Sequence, residues 1–443
     1  MAYKVGMVSL GCAKNQVDAE MLMATLKNAG YELSDDAALA DVAIVNTCGF
    51  IESAKQESID EILELAKLKA EGKIKAIVVT GCLAERYKDE ILKELPEVDA
   101  VAGIGANADI ADIIFKTLQG ERPEAFPPKT QLPLCGERVQ STPSYFAYIK
   151  VAEGCDNCCA YCAIPSIRGR YRSRTIENVV EEAKQLAQNG TKELIVIAQD
   201  TTRYGEDLYG HLALPELLKE LCKIDGIRWI RMLYCYPDYI TDELLQTMAQ
   251  QEKIVKYMDL PLQHCNGRVL KAMNRRGDRE SLTALIQKMR AMVPGLVLRT
   301  TLITGFPGET DEEFTDLAEF VKEIRFERLG CFSYSQEEGT LAAAMPNQID
   351  EEVKNHRMEI IMEEQMRIMQ ENGEAQIGKT VTVLTEGFDR YAECYFGRTY
   401  ADAPDIDGKV FFTVSGKKPR YGQFIQVNIG DCMDCDLTGE MTE

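Results

Sequence analysis

The chain has 443 residues, of which 45% are hydrophobic and 27% are charged, a composition typical of globular protein with room for two to four domains. Its net charge of -21, from 50 basic and 71 acidic residues, argues against non-specific binding to a phosphate backbone and favours a basic partner. No stretch reaches the roughly 18 apolar residues of a transmembrane helix, and the sequence shows no export signal. We therefore expect no membrane association and a cytoplasmic, reducing location, where the 15 cysteines indicate metal or redox chemistry.

Residues 1–120 alternate short apolar runs with helical patterns, which predicts an α/β domain with a doubly wound parallel sheet. The predicted strands are residues 3–9, 41–46, 75–80 and 98–102. The predicted helices are residues 16–28, 53–69 and 84–95. Residues 121–144 hold five prolines and no periodic pattern, so we predict a linker there.

Three cysteines of this first domain follow predicted strands directly. Cys12, Cys48 and Cys82 each lie just beyond the carboxyl end of one strand. Because the carboxyl ends of parallel strands share one edge, where ligands bind, we expect the fold to bring them together. The alternative is three unrelated buried thiols, since free cysteine is among the most buried residue types.

Residues 145–374 again alternate strands and helices. The predicted strands are residues 146–151, 193–198, 228–234, 257–261, 296–303 and 328–334, with helices such as 176–189, 310–324 and 351–371. A complete eight-stranded βα barrel takes about 250 residues. Six strands in a shorter stretch therefore predict a partial βα barrel of six units, which the helix 351–371 follows.

Residues 375–443 change to short β-rich runs at 380–385, 410–414 and 424–429, which predict a small all-β barrel. Residues 373–380 match the pattern of a phosphate-binding loop, but a helix precedes them and a strand follows, the reverse of what phosphate binding needs. We therefore reject that site. Cys432 and Cys435 have the spacing of half a zinc site, but no second pair lies near them in sequence.

The spacing Cys-x3-Cys-x2-Cys of Cys155, Cys159 and Cys162 follows the first predicted barrel strand. This position is the carboxyl-end face, where the active sites of barrels lie. Three thiolates on one loop can hold three irons of a cubane cluster and leave the fourth iron open for a non-protein ligand. Cys158 lies inside the run, and spacing alone leaves Cys155, Cys158 and Cys162 as an alternative set.

This loop, together with the barrel pattern after it, resembles the radical S-adenosylmethionine superfamily. The resemblance implies a 4Fe–4S cluster on Cys155, Cys159 and Cys162, with S-adenosylmethionine on its open iron. It also implies cofactor contacts at Gln199 and Asp200, in the run 197–201, and at Gly305, in the run 300–309. No further catalytic residue is assigned.

The order of domains narrows the resemblance to the methylthiotransferases of that superfamily. The runs 9–15, 46–48 and 80–82 resemble the three ligand motifs that hold a second 4Fe–4S cluster in this family. The resemblance thus implies that Cys12, Cys48 and Cys82 bind a second cluster, whose open iron carries the transferable sulfur. The last domain resembles a TRAM domain.

The family contains enzymes that modify adenosine in transfer RNA and a type that modifies a ribosomal protein. Residues 375–443 hold seven basic and eleven acidic residues, a net charge of -4 that suits a basic protein better than a polyanion. The run 397–408 also resembles the ribosomal-protein type. We therefore expect the enzyme to methylthiolate the β-carbon of an aspartate in small-subunit ribosomal protein S-twelve, free or in the subunit.

The implied partners are this basic protein and an electron donor such as a flavodoxin-like protein, and direct binding of nucleic acid is not expected. Two alternatives stay open at this point. One is a transfer-RNA adenosine methylthiotransferase. The other, from a different class, is a two-cluster electron carrier or redox sensor, although a ferredoxin-like carrier normally has four cysteines for each cubane.

Overall fold

A computed structural model describes residues 3–442, and their first unit is a parallel sheet of six strands in the order β2-β1-β3-β4-β5-β6. Its elements are β1 Lys4–Ser9, α1 Ala13–Asn28, β2 Glu32–Ser34, β3 Val42–Thr47, α2 Glu52–Ala70, β4 Ala76–Gly81, α3 Cys82–Arg86, α4 Lys88–Glu94, β5 Ala100–Ala102, α5 Ile110–Leu118 and β6 Glu124–Ala125. The predicted fold class of this domain is confirmed.

The central strands of this sheet are buried on both faces because their side chains alternate between two cores. Ile44 and Val78 pack in a core with α1 and α5. Val45 and Val79 point the other way and pack with α2. Strands covered on both faces have continuous apolar sequences, which is why β3 and β4 were readily predicted.

The segment predicted as a linker is more ordered than expected. Strand β6 lies within it and pairs with β5, because the N–H of Val101 donates to the carbonyl of Pro123 and the N–H of Gly103 donates to that of Ala125. The predicted helix 84–95 is also wrong in detail, since it begins at Cys82 and breaks at Tyr87. Edge strands of two or three residues carry too short a pattern to predict, and prolines are tolerated there.

The second unit is the predicted partial barrel of six parallel strands, in the order β7-β10-β11-β12-β13-β14. Its elements are β7 Phe146–Lys150, β8 Ala152–Glu153, α6 Ile164–Arg168, β9 Arg172–Ser173, α7 Ile176–Gln188, β10 Glu193–Ile197, α8 Glu206–Tyr209, α9 Leu214–Cys222, β11 Trp229–Met232, α10 Asp242–Gln250, β12 Ile254–Asp259, α11 Gly267–Ala272, α12 Arg279–Met292, β13 Val297–Thr304, α13 Asp311–Ile324, β14 Arg328–Ser333 and α14 Glu351–Glu374. Each predicted strand of this unit is present.

Helices cover the outer face of this open barrel, whereas its inner face contacts both other domains. Ala13 and Val17 of α1 pack into the inner core from the N-terminal domain, and Ala403 packs into it from the last domain. The inner face is therefore closed by two different domains.

The third unit is a closed barrel of five strands in the order β15-β16-β17-β19-β18, so the predicted small all-β barrel is confirmed. Its strands are β15 Thr380–Asp389, β16 Cys394–Arg398, β17 Val410–Thr413, β18 Phe424–Met433 and β19 Asp436–Thr442. Arg398 is buried at the contact with the central barrel, where it donates at 2.8 Å to both Glu193 and Glu386. No helix of residues 3–442 has the length and apolar character to cross a bilayer.

Two sequence motifs of this region lie at turns between secondary-structure elements. Helix α14 ends at Glu374 and β15 begins at Thr380, so the order rejected for a phosphate loop is the order observed. Cys432 lies on β18 and Cys435 on the two-residue turn to β19, where Asp434 and Cys435 both have positive φ. Two such residues form the tight turn that suits a twisted hairpin, which explains the spacing without a metal.

Candidate functional site

The first candidate site is a set of three cysteines at the carboxyl edge of the N-terminal sheet, called here the N-terminal trio: Cys12, Cys48 and Cys82. Strands β1, β3 and β4 are neighbours, and each member follows one of them directly or within three residues. The sheet order thus places at one edge three cysteines that are far apart in sequence, as predicted.

Two glycines beside these cysteines allow the three segments to approach one another. A Cβ on Gly11, whose φ is +90°, would lie 2.7 Å from the Cβ of Cys48. A Cβ on Gly49 would lie 2.7 Å from the Cα of Leu83, the residue after Cys82. Only glycine permits backbone contacts this close, so these contacts join the first segment to the second and the second to the third.

Two buried asparagines fix the same strand ends. The Nδ2 of Asn15 donates to the carbonyl of Leu10 at 2.7 Å and to those of Asn46 and Thr47 at 3.2 Å. The Nδ2 of Asn46 donates in return to the carbonyl of Asn15 at 2.8 Å. Buried backbone carbonyls need such partners. Sequence reasoning gave these asparagines no role of their own, although each lies within three residues of a trio cysteine.

The three thiols differ in their acidity. Burial raises the pKa of the Cys48 thiol to about 11 and also raises the pKa of Cys82. Cys12 is the exposed member of the trio. Desolvation opposes its ionisation, but the charges of Lys14 and Arg168 outweigh that cost and lower the pKa of this thiol. Because a thiol binds metal as the thiolate, Cys12 is the member most readily prepared for a metal.

Arg168 reaches the N-terminal trio from the central barrel. Its Nη2 donates to the Sγ of Cys82 at 3.3 Å and to the Oδ1 of Asn15 at 3.1 Å. Its Nη1 pairs with Asp18 of α1, and Lys150 joins Asp18 to Glu153. The lysine, the arginine and both carboxylates are at most 2% exposed. A buried charge is tolerated only with such partners, so this network fixes one domain against the other.

The second candidate site is the loop after β8, whose cysteines form the barrel trio: Cys155, Cys159 and Cys162. Contacts from the rest of the barrel hold this loop in place. The N–H of Ala160 donates to the carbonyl of Met273 at 2.9 Å, and the Nδ2 of Asn157 donates to the Oδ2 of Asp200 at 2.8 Å. The loop lies at the carboxyl ends of the strands, as predicted.

The barrel trio is held in a less polar setting than the N-terminal trio. Burial raises the pKa of both Cys155 and Cys162 to about 12. One buried arginine lies beside the third thiol, since the Nη1 of Arg275 is 3.8 Å from the Sγ of Cys159. The guanidinium of Arg275 also stacks 4.3 Å from the centre of the Tyr236 ring. Sequence reasoning included this arginine, 113 positions beyond Cys162, only in the run 270–277, which resembles the ribosomal-protein type, and gave it no contact with the trio.

Cys158, the alternative member of this set, is placed differently. It is exposed, its φ is +50°, and its carbonyl accepts from the Nδ2 of Asn274 at 2.8 Å. Cys155, Cys159 and Cys162 are each partly buried, and Cys159 adds to the effect of burial in raising the pKa of both Cys155 and Cys162. This placement favours Cys159 over Cys158 as the middle ligand.

The predicted cofactor contacts at the end of β10 differ in how far their polar atoms are engaged. The Nε2 of Gln199 donates to the Oε1 of Glu153 at 2.7 Å, and its buried Oε1 has no partner among residues 3–442. Asp200 is 1% exposed and accepts from Asn157 and from Thr202. Gln199 therefore has an oxygen to offer, whereas the Asp200 carboxylate positions the cysteine loop.

Gly305 follows β13 in a tight turn. Its N–H donates at 3.1 Å to both carboxylate oxygens of Glu309, its φ is +72°, and a Cβ there would collide with the side chain of Lys354. These contacts explain the glycine by packing against α14. Its contact with a cofactor stays a prediction.

The two trios approach each other across the domain interface. Cys82 packs against Ala163 and Ile167, which lie one and five residues after Cys162 in the chain. No three His, Cys, Asp or Glu side chains within residues 3–442 converge as the ligands of a single metal ion. A cubane takes each thiolate on a different iron, so its three ligands lie further apart than those of one ion.

Comparisons with known proteins agree with this architecture. Three family models match the chain in order: Uncharacterized protein family UPF0004 over residues 4–103, the Radical SAM superfamily over residues 149–321 and the TRAM domain over residues 377–442. A solved radical S-adenosylmethionine methyltransferase, TsrM from Kitasatospora setae, shares the fold with a TM-score of 0.55 and 15% identity, over 75% of each chain. The fold and the site thus define a radical S-adenosylmethionine enzyme.

Curated relatives narrow this class. Ribosomal protein uS12 methylthiotransferase RimO of Thermoanaerobacter sp. is 49% identical over 98% of this chain and 99% of its own length. The protein of the same name from Caldanaerobacter subterraneus is 50% identical over 98% of this chain and 99% of its own length. The chain belongs to the RimO family of radical S-adenosylmethionine methylthiotransferases, so the predicted family is confirmed.

Proposed function

We propose that this protein transfers a methylthio group to the β-carbon of an aspartate in ribosomal protein uS12, the small-subunit protein called S-twelve above. In this proposal it uses S-adenosylmethionine and two 4Fe–4S clusters. The observation that carries the proposal is the juxtaposition of two cysteine trios, in which Cys82 of one packs against the helix that follows Cys162 of the other. A reaction that joins a carbon radical to a sulfur needs the two sources this close.

The residues of the barrel trio fit a cluster with one open iron. Cys155, Cys159 and Cys162 supply three sulfur donors, one for each of three irons. The unpartnered, buried Oε1 of Gln199 lies at the end of β10, on the face that carries the trio. An acceptor without a partner in the protein suits the ammonium group of S-adenosylmethionine. Asp200 contributes indirectly, because it holds Asn157 of the cysteine loop.

The N-terminal trio fits the second cluster by its donor chemistry. Cys12, Cys48 and Cys82 again supply three sulfur donors at the carboxyl edge of a parallel sheet, and the close packing at Gly11 and Gly49 brings their three segments together. Arg168 donates to the Sγ of Cys82, and hydrogen bonds to cluster sulfurs are known to set the properties of iron–sulfur centres.

When both clusters are bound, one supplies the electron that cleaves S-adenosylmethionine and the other supplies the sulfur. The protein residues then hold the reacting groups and exclude water. Asn157 and Asp200 fix the loop of the barrel trio, while Arg168 and Asp18 fix the N-terminal trio above the barrel. We propose that the electron comes from a flavodoxin-like donor.

The surface charge supports a basic protein as substrate. In the last domain the side chains of one basic residue, Arg398, and of two acidic residues, Asp402 and Asp407, are buried and do not contribute to the surface charge. The excess of acid counted from the sequence therefore persists on the surface. An acidic surface attracts a basic protein and repels the phosphates of an RNA.

The proposal is tested with the full chain after anaerobic reconstitution with iron and sulfide. The protein is incubated with S-adenosylmethionine, a reductant and either purified uS12 or transfer RNA, and each product is analysed by mass spectrometry. We expect one methylthio group on an aspartate-containing peptide of uS12 and no modified adenosine. Modification of transfer RNA instead, or the absence of S-adenosylmethionine cleavage, would refute the proposal, and the latter result would favour an electron carrier.

A further inference from the structure

Lys14 is a buried cation that pairs with no carboxylate among residues 3–442. It is 8% exposed and lies on α1, two residues after Cys12. The other two buried lysines of residues 3–442 have carboxylate partners: Lys150 pairs with Asp18 and Glu153, and Lys354 pairs with Glu351. Lys14 forms no ion pair within the described residues. A charge withdrawn from water normally has a compensating charge.

The side chain of Lys14 points from the N-terminal domain to the mouth of the barrel. Its Nζ lies 3.2 Å from the centre of the Tyr234 ring, just beyond the end of β11. A tyrosine ring partly compensates a cation and leaves the remaining N–H groups free to donate. The lysine therefore presents a positive charge between the N-terminal trio and the inner face of the barrel.

Tyr234 is held for this contact in a backbone conformation that is costly for a tyrosine. Its φ is +61°, in the left-handed region. Its N–H donates to the Oδ2 of Asp259 at 3.0 Å, and its carbonyl accepts from the N–H of Thr201 at 2.9 Å. A residue keeps an unfavourable backbone conformation only when the surrounding contacts hold it there, and such residues are concentrated at functional sites.

Two carboxylates close to Lys14 and Tyr234 are already paired with other cations. Asp18 pairs with Lys150 and Arg168, and Asp259 pairs with Arg299 at 3.1 Å. Among the described residues the Cys12 thiol also acts on Lys14, but it is assigned to a cluster. A carboxylate partner for Lys14 therefore has to come from outside the described residues. The proposed substrate carries one at the reacting residue, since its target is an aspartate.

We propose that Lys14 binds the carboxylate of the target aspartate and so selects aspartate over asparagine at the mouth of the barrel. This inference rests on the proposed function and extends it to the recognition of the substrate side chain. An ammonium group attracts a carboxylate and gains little from a neutral carboxamide. Binding there would place the adjacent β-carbon next to the segment that carries Cys12.

The test compares two peptides of uS12 that differ only in aspartate or asparagine at the modified position. Their binding to the reconstituted full chain is measured by fluorescence anisotropy for the unaltered protein, Lys14→Met and Lys14→Arg. We expect Lys14→Met to weaken binding of the aspartate peptide about tenfold or more and to change the asparagine peptide less than about twofold. Lys14→Arg should retain part of the preference.

The matched control is Lys88→Met. Lys88 also lies over an aromatic ring in the N-terminal domain, with its Nζ 4.7 Å from the centre of the Phe126 ring, but it contacts neither trio. We expect this variant to bind both peptides as the unaltered protein does. Iron content and reductive cleavage of S-adenosylmethionine are measured for every variant.

Two results would overturn the inference while leaving the proposed function intact. In the first, Lys14→Met weakens the binding of both peptides equally. In the second, it loses about four irons per chain, which would mean that Lys14 neutralises the N-terminal cluster. Failure of the unaltered protein to modify uS12 would instead refute the proposed function, and this inference with it.

Discussion

The two cysteine trios reach similar donor sets by opposite routes. The barrel trio lies on one loop, so its spacing is written in eight consecutive residues from Cys155 to Cys162. The N-terminal trio is gathered from three strand ends by the order of the sheet, and an arginine from another domain completes its surroundings. One site is therefore encoded locally, and the other exists only when the domain is folded and docked.

The two trios also differ in how burial and neighbouring charges shift the pKa of their cysteines. Around the barrel trio burial dominates and raises the pKa of Cys155 and Cys162. In the N-terminal trio burial also raises the pKa of Cys48 and Cys82, but at Cys12 the charges of Lys14 and Arg168 outweigh desolvation and lower the pKa. If the second site carries transferable sulfur, the added positive charge would suit a cluster that holds additional anionic sulfur.

The largest expected effect comes from the barrel trio. Cys159→Ala removes one of three ligands, so we expect reductive cleavage of S-adenosylmethionine to be abolished while about four irons per chain remain on the other trio. Product analysis after dithionite reduction measures the cleavage. Cys158→Ala is the matched control and should cleave normally. The ligand assignment is wrong if Cys158→Ala is the inactive variant.

Cys48→Ala is the complementary change at the N-terminal trio. We expect iron to fall from about eight to about four per chain, methylthio transfer to be lost and reductive cleavage to persist. Iron assay and mass spectrometry separate these effects. A protein that keeps all its iron after this change would show that Cys48 is an ordinary buried thiol, which was the alternative interpretation of the sequence.

The contrast explains what could be predicted. The strand-end positions of Cys12, Cys48 and Cys82 followed from sequence because apolar strands buried on both faces are easy to recognise and their topology is restricted. The fold class and the loop of the barrel trio followed for similar local reasons. The surroundings of the sites did not, because they depend on contacts between distant residues.

Arg168 and Gln199 illustrate that limit. The partner of Arg168, Asp18, lies 150 positions away in the sequence and in another domain. Gln199 was predicted as a contact by resemblance, but only the fold shows that its Oε1 is unpartnered and that the carboxylate of Asp200 is engaged. Strand β6 was missed because two residues carry no pattern.

Arg168 beside the N-terminal trio and Arg275 beside the barrel trio allow the contribution of each site to the free energy of unfolding to be compared. Arg168→Met leaves Asp18 and Glu153 buried with fewer cations, so we expect the free energy of unfolding of the metal-free protein to fall by about 3–5 kcal/mol. Arg275→Met removes no ion pair and should cost about 1–3 kcal/mol. Urea denaturation measures both. Equal losses of unfolding free energy would mean that the ion-pair network across the interface stabilises the fold no more than the hydrogen bonds of Arg275.

The same network predicts that the free energy of unfolding depends on pH in the acid range. Burial opposes ionisation of Glu153, but Lys150 and Arg168 outweigh it and lower the pKa of this carboxyl from 4.5 to about 2. A lowered pKa means that the stabilisation is complete above pH 4.5 and is lost as the pH falls toward 2. Its size is about 3 kcal/mol.

Urea titrations of the metal-free protein at several pH values measure the stabilisation that ionised Glu153 contributes. Glu153→Gln cannot titrate at this position, so the part of the acid dependence that comes from Glu153 should disappear in that variant, which would also be less stable at neutral pH. An unchanged slope between pH 4.5 and 2 in Glu153→Gln would show that other carboxylates account for the loss.

The smallest expected effect concerns a cysteine pair that, unlike the trios, we interpret as purely structural. Cys435 has a φ of +69° in the turn between β18 and β19, so Cys435→Gly should relieve strain and raise the free energy of unfolding by about 1 kcal/mol. Cys432 is 6% exposed, so Cys432→Ala should lower it through lost packing. Urea denaturation and metal analysis check both changes. A shared metal would make both variants less stable and lower the metal content of each, whereas opposite signs in the two variants would show that Cys-x2-Cys spacing here records the geometry of a tight hairpin.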